Sequence, residues 1–122
     1  MQEFKLIVAG GRDFIDYDRV SKTLFDLAES ETFQNKGIAL VSGMARGADI
    51  LAVRFARQHN VKLYEFPANW EVFGKSAGFT RNIQMADFAD GLLAFWDGES
   101  RGTAHMIQAM QDRNKYLKIE RY

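Results

Sequence analysis

Few folds accommodate the stretch from Val41 to Ala52, Val-Ser-Gly-Met-Ala-Arg-Gly-Ala-Asp-Ile-Leu-Ala. It joins the end of an apolar run to an amphipathic helical period through a turn that carries Gly43 and Gly47. A buried strand that turns directly into a helix points backbone N–H groups and the positive helix end at whatever sits above the turn, which favours an anion. Two other runs end in the same way, at Ala9-Gly10-Gly11-Arg12-Asp13-Phe14 and at Phe95-Trp96-Asp97-Gly98-Glu99-Ser100-Arg101-Gly102-Thr103. The three turns are expected to converge on one ligand.

The rest of the chain alternates short apolar runs with helical periods, the pattern of βα units around a mainly parallel sheet. Phe4 to Ala9, Gly37 to Val41, Val61 to Phe66, Gly91 to Trp96 and Lys115 to Ile119 read as five strands. The first is almost continuously apolar, as a strand covered on both faces requires. The last is polar enough for an edge. Asp16 is placed to cap a helix with Val20, Leu24, Leu27 and Ala28 on its inner face. Glu29 to Gly37 reads as a polar connection that ends this helix. Ala48, Leu51, Ala52, Phe55 and Ala56 mark a second helix, which Asn60 ends. Pro67 to Gly78 reads as a long irregular stretch, a lid or pocket wall. A helix from about Ala77 to Ala89 follows, with Phe79, Ile83 and Ala86 inward. Thr103, Met106, Ile107 and Met110 space out the last helix. Right-handed crossovers then predict an α/β, Rossmann-like three-layer sandwich with strand order 3-2-1-4-5. In such a sheet the ligand sits at the carboxyl edge, at the switch point between strands 1 and 4.

The chain of 122 residues is long enough for one domain spanning 1–122 with a full core. Sixteen basic and sixteen acidic residues cancel, which counts against nucleic acid as a partner, since that needs a net basic face. No cysteine is present, and His59 and His105 have no metal-ligand spacing, so neither a metal nor a cofactor is expected. No apolar run approaches the ~20 residues that span a bilayer, and the N-terminus runs directly into a strand. A cytoplasmic protein without membrane contact is the expectation.

Each turn has a chemical reading beside a bland one. Gly10 and Gly11 permit close backbone approach, Arg12 can pair with phosphate, and Asp13 can accept from a ribose hydroxyl. A tight turn with a surface ion pair would look the same. Ser42 and Gly43 can donate to an anion, Gly47 permits close approach, and Asp49 can take a ribose hydroxyl or pair with Arg46. Asp49 as a helix-capping acid is the alternative. Trp70 or Phe73 can stack on a base or pack beneath a loop. Lys75 can supply charge, and Arg81 and Asn82 lie near a helix start. Ser100, Gly102 and Thr103 form a further cradle or simply a helix cap. His59 reads as an exposed residue near a helix end, and His105 as structural.

In combination, Gly-Gly-Arg-Asp-Phe at 10–14, Gly-Met-Ala-Arg-Gly-Ala-Asp at 43–49, Gly-Lys-x-Ala-Gly-x-x-Arg-Asn at 74–82 and Trp-Asp-Gly-x-Ser-x-Gly-Thr at 96–103 resemble the SLOG superfamily, in its small stand-alone YspA-related branch. The resemblance runs from about Lys5 to Met110. It implies a Rossmann-like domain that binds a nucleotide or nucleotide-derived ligand. Two better-known relatives frame the possibilities. LOG phosphoribohydrolases carry an arginine near a helix start, matched by Arg81, and a Gly-Thr matched by Gly102-Thr103. Their following glutamate has no match, because His105 and Met106 stand there. The turn of the DNA-processing DprA proteins is similar to Ser42–Asp49.

The favoured expectation is therefore a protein that senses or sequesters a nucleotide or ADP-ribose-like molecule. Its phosphates would sit on the three turns, with charge from Arg12, Arg46 and Arg81 and with Trp70 over the base. The alternatives are a nucleoside-monophosphate phosphoribohydrolase, with catalytic candidates Arg81, Asp49 and Asp97 and with Asp13 or Glu99 as other carboxylates that could replace the missing glutamate, and a single-stranded nucleic-acid binder. LOG-like relatives are commonly oligomers, so the resemblance implies a homo-oligomer.

Overall fold

The computed structural model describes residues 2–122. Its five strands are β1 (Gln2–Gly10), β2 (Lys36–Ser42), β3 (Leu63–Glu65), β4 (Gly91–Trp96) and β5 (Tyr116–Arg121). They form one all-parallel sheet in the order β3-β2-β1-β4-β5, as the crossover argument predicts. The helices are α1 (Tyr17–Glu29), α2 (Ala48–Gln58), α3 (Trp70–Phe73), α4 (Ala77–Phe88) and α5 (Arg101–Asp112).

The alternation of side chains along β1 explains its apolar run from Leu6 to Ala9. Leu6 and Val8 pack on one side with Val20, Leu24, Ala52 and Phe55 of α1 and α2. Ile7 and Ala9 pack on the other with Met85, Ala86, Met106 and Met110 of α4 and α5. Both faces are dry, so neither can carry polar residues. Asp16 caps α1, accepting from the Arg19 N–H at 3.0 Å. Asn60 follows α2 in the left-handed region, at φ 54°. No helix among the described residues is long and apolar enough to cross a membrane.

Four local readings change. The polar connection after α1 contains Phe33, which is buried and packs edge-on against Phe4 and Tyr116 at 4.8 and 5.1 Å. Ala28 is exposed and does not join the inner face of α1. The stretch from Pro67 is not wholly irregular: α3 and a 3-10 turn at Gly74–Ser76 occupy its middle, with Asn69 capping α3. Finally, α4 is rotated from the expected phase. Ala77, Asn82, Met85 and Ala86 point inward, whereas Phe79 and Ile83 are exposed. The polar Asn82 takes an inward position because it has hydrogen-bond partners there, which an apolar count along the helix does not register.

Candidate functional site

The strand ends of β2, β1 and β4 lie side by side, with α1 and α2 on one face of the sheet and α4 and α5 on the other. Between them opens a cavity of about 530 Å³, within the ~300–1,000 Å³ range of small-molecule sites. Gly10, Gly11, Arg12 and Asp13 line it from the β1 turn, and Asp49 from the start of α2. Trp70 and Lys75 line it from the α3 region, and Arg81 and Asn82 from α4. Asp97, Ser100, Gly102 and Thr103 complete it from the β4 turn. Ala9, Ala45 and Gly78 of the sequence motifs also line the cavity, as do Phe79 and Met106, which read as core positions in the sequence, and Met85, which no motif marks.

Ser42, Gly43, Arg46 and Gly47 are placed differently. Ser42 is fully buried, and its hydroxyl is spent internally, donating to the Asp49 carbonyl and accepting from the Met44 N–H, both at 3.1 Å. It offers nothing to a ligand in the cavity. Gly47 has φ +85°, and a side chain there would overlap the Gly11 carbonyl oxygen and lie 2.8 Å from Arg12 Cα. This glycine lets the two turns dock on each other, and the Ala48 N–H meets the same Gly11 carbonyl at 3.4 Å. Gly43 and Arg46 line a neighbouring hollow. Gly102 is different again: no atom lies within 4 Å of where its side chain would be, so it presents open backbone to the cavity.

Gly43 makes room for the central charged groups. A Cβ on it would lie 2.6 Å from Arg81 Nη1 and 2.8 Å from Asp49 Oδ2, so guanidinium and carboxylate face each other across that space. Arg81 Nη1 donates to the Gly43 carbonyl, and its Nε donates to Asn82 Oδ1 at 3.0 Å. Asn82 is buried and donates through Nδ2 to the Gly102 carbonyl at 3.3 Å, with His105 Nδ1 at 3.2 Å. One side chain thereby ties the Arg81 guanidinium to the α5 start. The His105 ring stacks on Phe79 at 4.2 Å, and burial lowers its pKa.

Burial pushes the Asp49 carboxyl up to about 6, against the opposing pull of Arg81 and of the backbone N–H groups of Ala45, Asp49 and Gly10. A folded pKa above the unfolded 3.8 means that the native state holds a proton that the unfolded chain has released. This contribution to stability is present below pH 4 and is lost as pH rises through 6. Asp49→Asn is expected to remove that slope, by on the order of 2–3 kcal/mol across the window. Urea melts of both proteins between pH 4 and 7 check it; parallel pH profiles would refute the assignment.

Asp97 braces its own loop. Its Oδ1 accepts from the Glu99 and Ser100 N–H groups at 2.8 Å each, which holds its pKa down. Ser100 caps α5: its Oγ accepts from the Thr103 N–H at 3.4 Å and lies 3.1 Å from Thr103 Oγ1. Two residues that the sequence pattern does not mark support this end. Tyr122 donates to Asp13 Oδ1 at 2.8 Å and packs on Phe14, and Arg121 donates to the Asp97 carbonyl at 3.3 Å.

The cavity sets Arg12, Lys75 and Arg81 among the carboxylates Asp13, Asp49 and Asp97. Among the described residues, Arg12, Arg46, Lys75 and Arg81 make no salt bridge. Burial lowers the pKa of Arg81 against the pull of Asp49, and the nearby charge of Arg12 adds to the lowering. No group of three or more His, Asp or Glu among the described residues is placed to hold a metal ion.

A family model described as the YspA, cpYpsA-related SLOG family matches residues 4–73. The chain belongs to this SLOG family. Its match to the Gene 61 protein of Mycobacterium phage D29 is 38% identical over 113 residues, 88% of each chain. The SLOG fold also superposes on DNA processing protein A (DprA) of Streptococcus pneumoniae with a TM-score of 0.76 at 18% identity, over 95% of this chain and 50% of that one. For DprA of Helicobacter pylori, studied for its single-stranded DNA binding mode, the TM-score is 0.62 at 21% identity, over 95% and 64%. The chain thus spans only half to two thirds of these DprA chains, and the likeness is one of fold. SLOG membership implies a nucleotide-derived ligand in general.

Proposed function

We propose that this SLOG protein binds an anionic nucleotide-derived molecule, of the ADP-ribose or nucleotide type, and acts as its sensor or sequestering protein. The observation that carries the reading is the set of cations around a cavity at the switch point of the sheet: Arg12 and Lys75, which make no salt bridge among the described residues, and Arg81, which faces Asp49 without closing a salt bridge to it. A chain with no net charge whose cations at this site are set among carboxylates in one cavity is suited to a small anion that also carries hydroxyls, rather than to a polyanion. Trp70 and Phe79, each about half exposed at 54% and 49%, offer flat apolar faces for a base in the same cavity. The open backbone at Gly102, at the α5 start, supports a phosphate there.

Thermal melts with AMP, ADP, NAD, ADP-ribose and cyclic nucleotides test this reading. A ligand at a hundred times its Kd stabilises the fold by about 2.7 kcal/mol, a rise of several degrees in Tm. No shift with any of them at millimolar concentration would refute it.

Asp49 favours a second reading, N-glycosidic hydrolysis of a nucleoside monophosphate. A buried carboxyl titrating at about 6 beside Arg81 has the character of a general acid or base. Free base released from a nucleotide, and lost in Asp49→Asn, would establish this activity. Intact nucleotide after prolonged incubation would eliminate it.

A further inference from the structure

The cavity has a neighbour. A second hollow of about 390 Å³ is lined by Gly43, Met44, Arg46, Pro67 and Ala68, and shares Arg12, Ala45, Trp70 and Arg81 with the first. The shared residues form a divide that carries two guanidinium groups. Arg81 spans it: Nη1 is bonded to the Gly43 carbonyl on the side of the second hollow, and Nη2 is the guanidinium atom nearest Gly78, which lines the first. The acids lie on one side only. Asp13, Asp49 and Asp97 line the first cavity, and no carboxylate lines the second. Arg46 stands in the second hollow, exposed and, among the described residues, without a salt-bridge partner. Met44 forms part of the same wall in the left-handed region, at φ 63°, a conformation that costs energy for a residue with a side chain.

We infer that the ligand straddles this divide, with its anionic group internal, between Arg12 and Arg81, and with one moiety in each hollow. That is the shape of a pyrophosphate-bridged nucleotide. A mononucleotide, whose phosphate is terminal, fills one hollow and leaves Arg46 unused. Each hollow has room for a nucleoside-sized moiety, and a chain without net charge lacks the basic track that a nucleic-acid strand requires. The inference rests on the proposed reading that the site binds a nucleotide-derived anion.

Calorimetric titration of AMP and ADP-ribose into the wild type, Arg46→Ala and Ala68→Trp separates the two claims. ADP-ribose is expected to bind the wild type about tenfold more tightly than AMP. Each variant is expected to lose about tenfold for ADP-ribose, and less than about twofold for AMP. Equal affinity for the two ligands, or equal losses in the variants, would overturn the straddled pose while the proposed function stands. Absence of heat with both ligands, alongside flat thermal melts, would overturn both. Displacement of ADP-ribose by a short oligothymidylate would overturn the inference in favour of a nucleic-acid strand.

Discussion

Arg81→Met is expected to weaken nucleotide binding by about a hundredfold and to leave the fold standing. The guanidinium is partly buried at the centre of the site, and burial is the main cause of its lowered pKa. It is held by the Gly43 carbonyl and by Asn82 Oδ1, so an anion meets it already oriented. Removing it deletes a charge-assisted hydrogen bond and leaves Asp49 as an uncompensated acid beside the ligand. At neutral pH stability should fall by about 1–3 kcal/mol, because the buried Asp49 loses its compensating charge and this outweighs the relief from desolvating the cation. Arg81→Lys keeps the charge but not both anchors, and should lose about tenfold. Calorimetry with ADP-ribose, alongside urea melts of each variant, measures both quantities. Wild-type affinity in Arg81→Met would remove the basis for placing the anion here.

The sequence carries much of this arrangement, and the gaps have physical causes. The runs at Leu6–Ala9, Leu40–Val41 and Leu92–Phe95 are apolar because both sheet faces are covered, so the strands and their order can be read directly. Asp16 and Arg81 are legible because capping and helix-start positions are local. Phe33 is not, since one buried ring inside a polar connection has no period. Nor are α3 and the following turn, which are too short for periodicity and bury nothing. An apolar count turns Phe79 inward, but it lies against His105 at the cavity because Asn82 occupies the inward position. Tyr122 and Arg121 come to the site only through the pairing of β5 with β4, which brings the end of the edge strand beside the β4 turn. The glycines are the sharpest case. Gly10, Gly47 and Gly102 look alike in sequence, yet two are set by turns packed on each other and on β4, and one by open space.

That contrast yields opposite outcomes for the same substitution. Gly47→Ala is expected to destabilise the fold by about 3–5 kcal/mol, a large part of the ~5–15 kcal/mol that such domains possess. Its φ of +85° with ψ of −136° is a conformation almost confined to glycine, worth about 1–3 kcal/mol of strain for any other residue. The added methyl would also drive into the Gly11 carbonyl and the Arg12 backbone, neither of which is the yielding end of a flexible side chain. The turns must separate, and Arg12 and Asp13 move with them, so affinity falls even where the chain still folds. Tm should drop by more than about 10 °C. Gly102→Ala meets nothing within 4 Å and lies within the first turn of α5, so it should stabilise by up to about 1 kcal/mol. Gly102 lines the cavity, however, so the added methyl should weaken nucleotide binding. Thermal melts with and without ADP-ribose read both effects in one experiment. If Gly47→Ala melted like the wild type, the docking of the two turns would not be what the glycine serves. If Gly102→Ala kept full ligand-induced stabilisation, the ligand would not approach the α5 start.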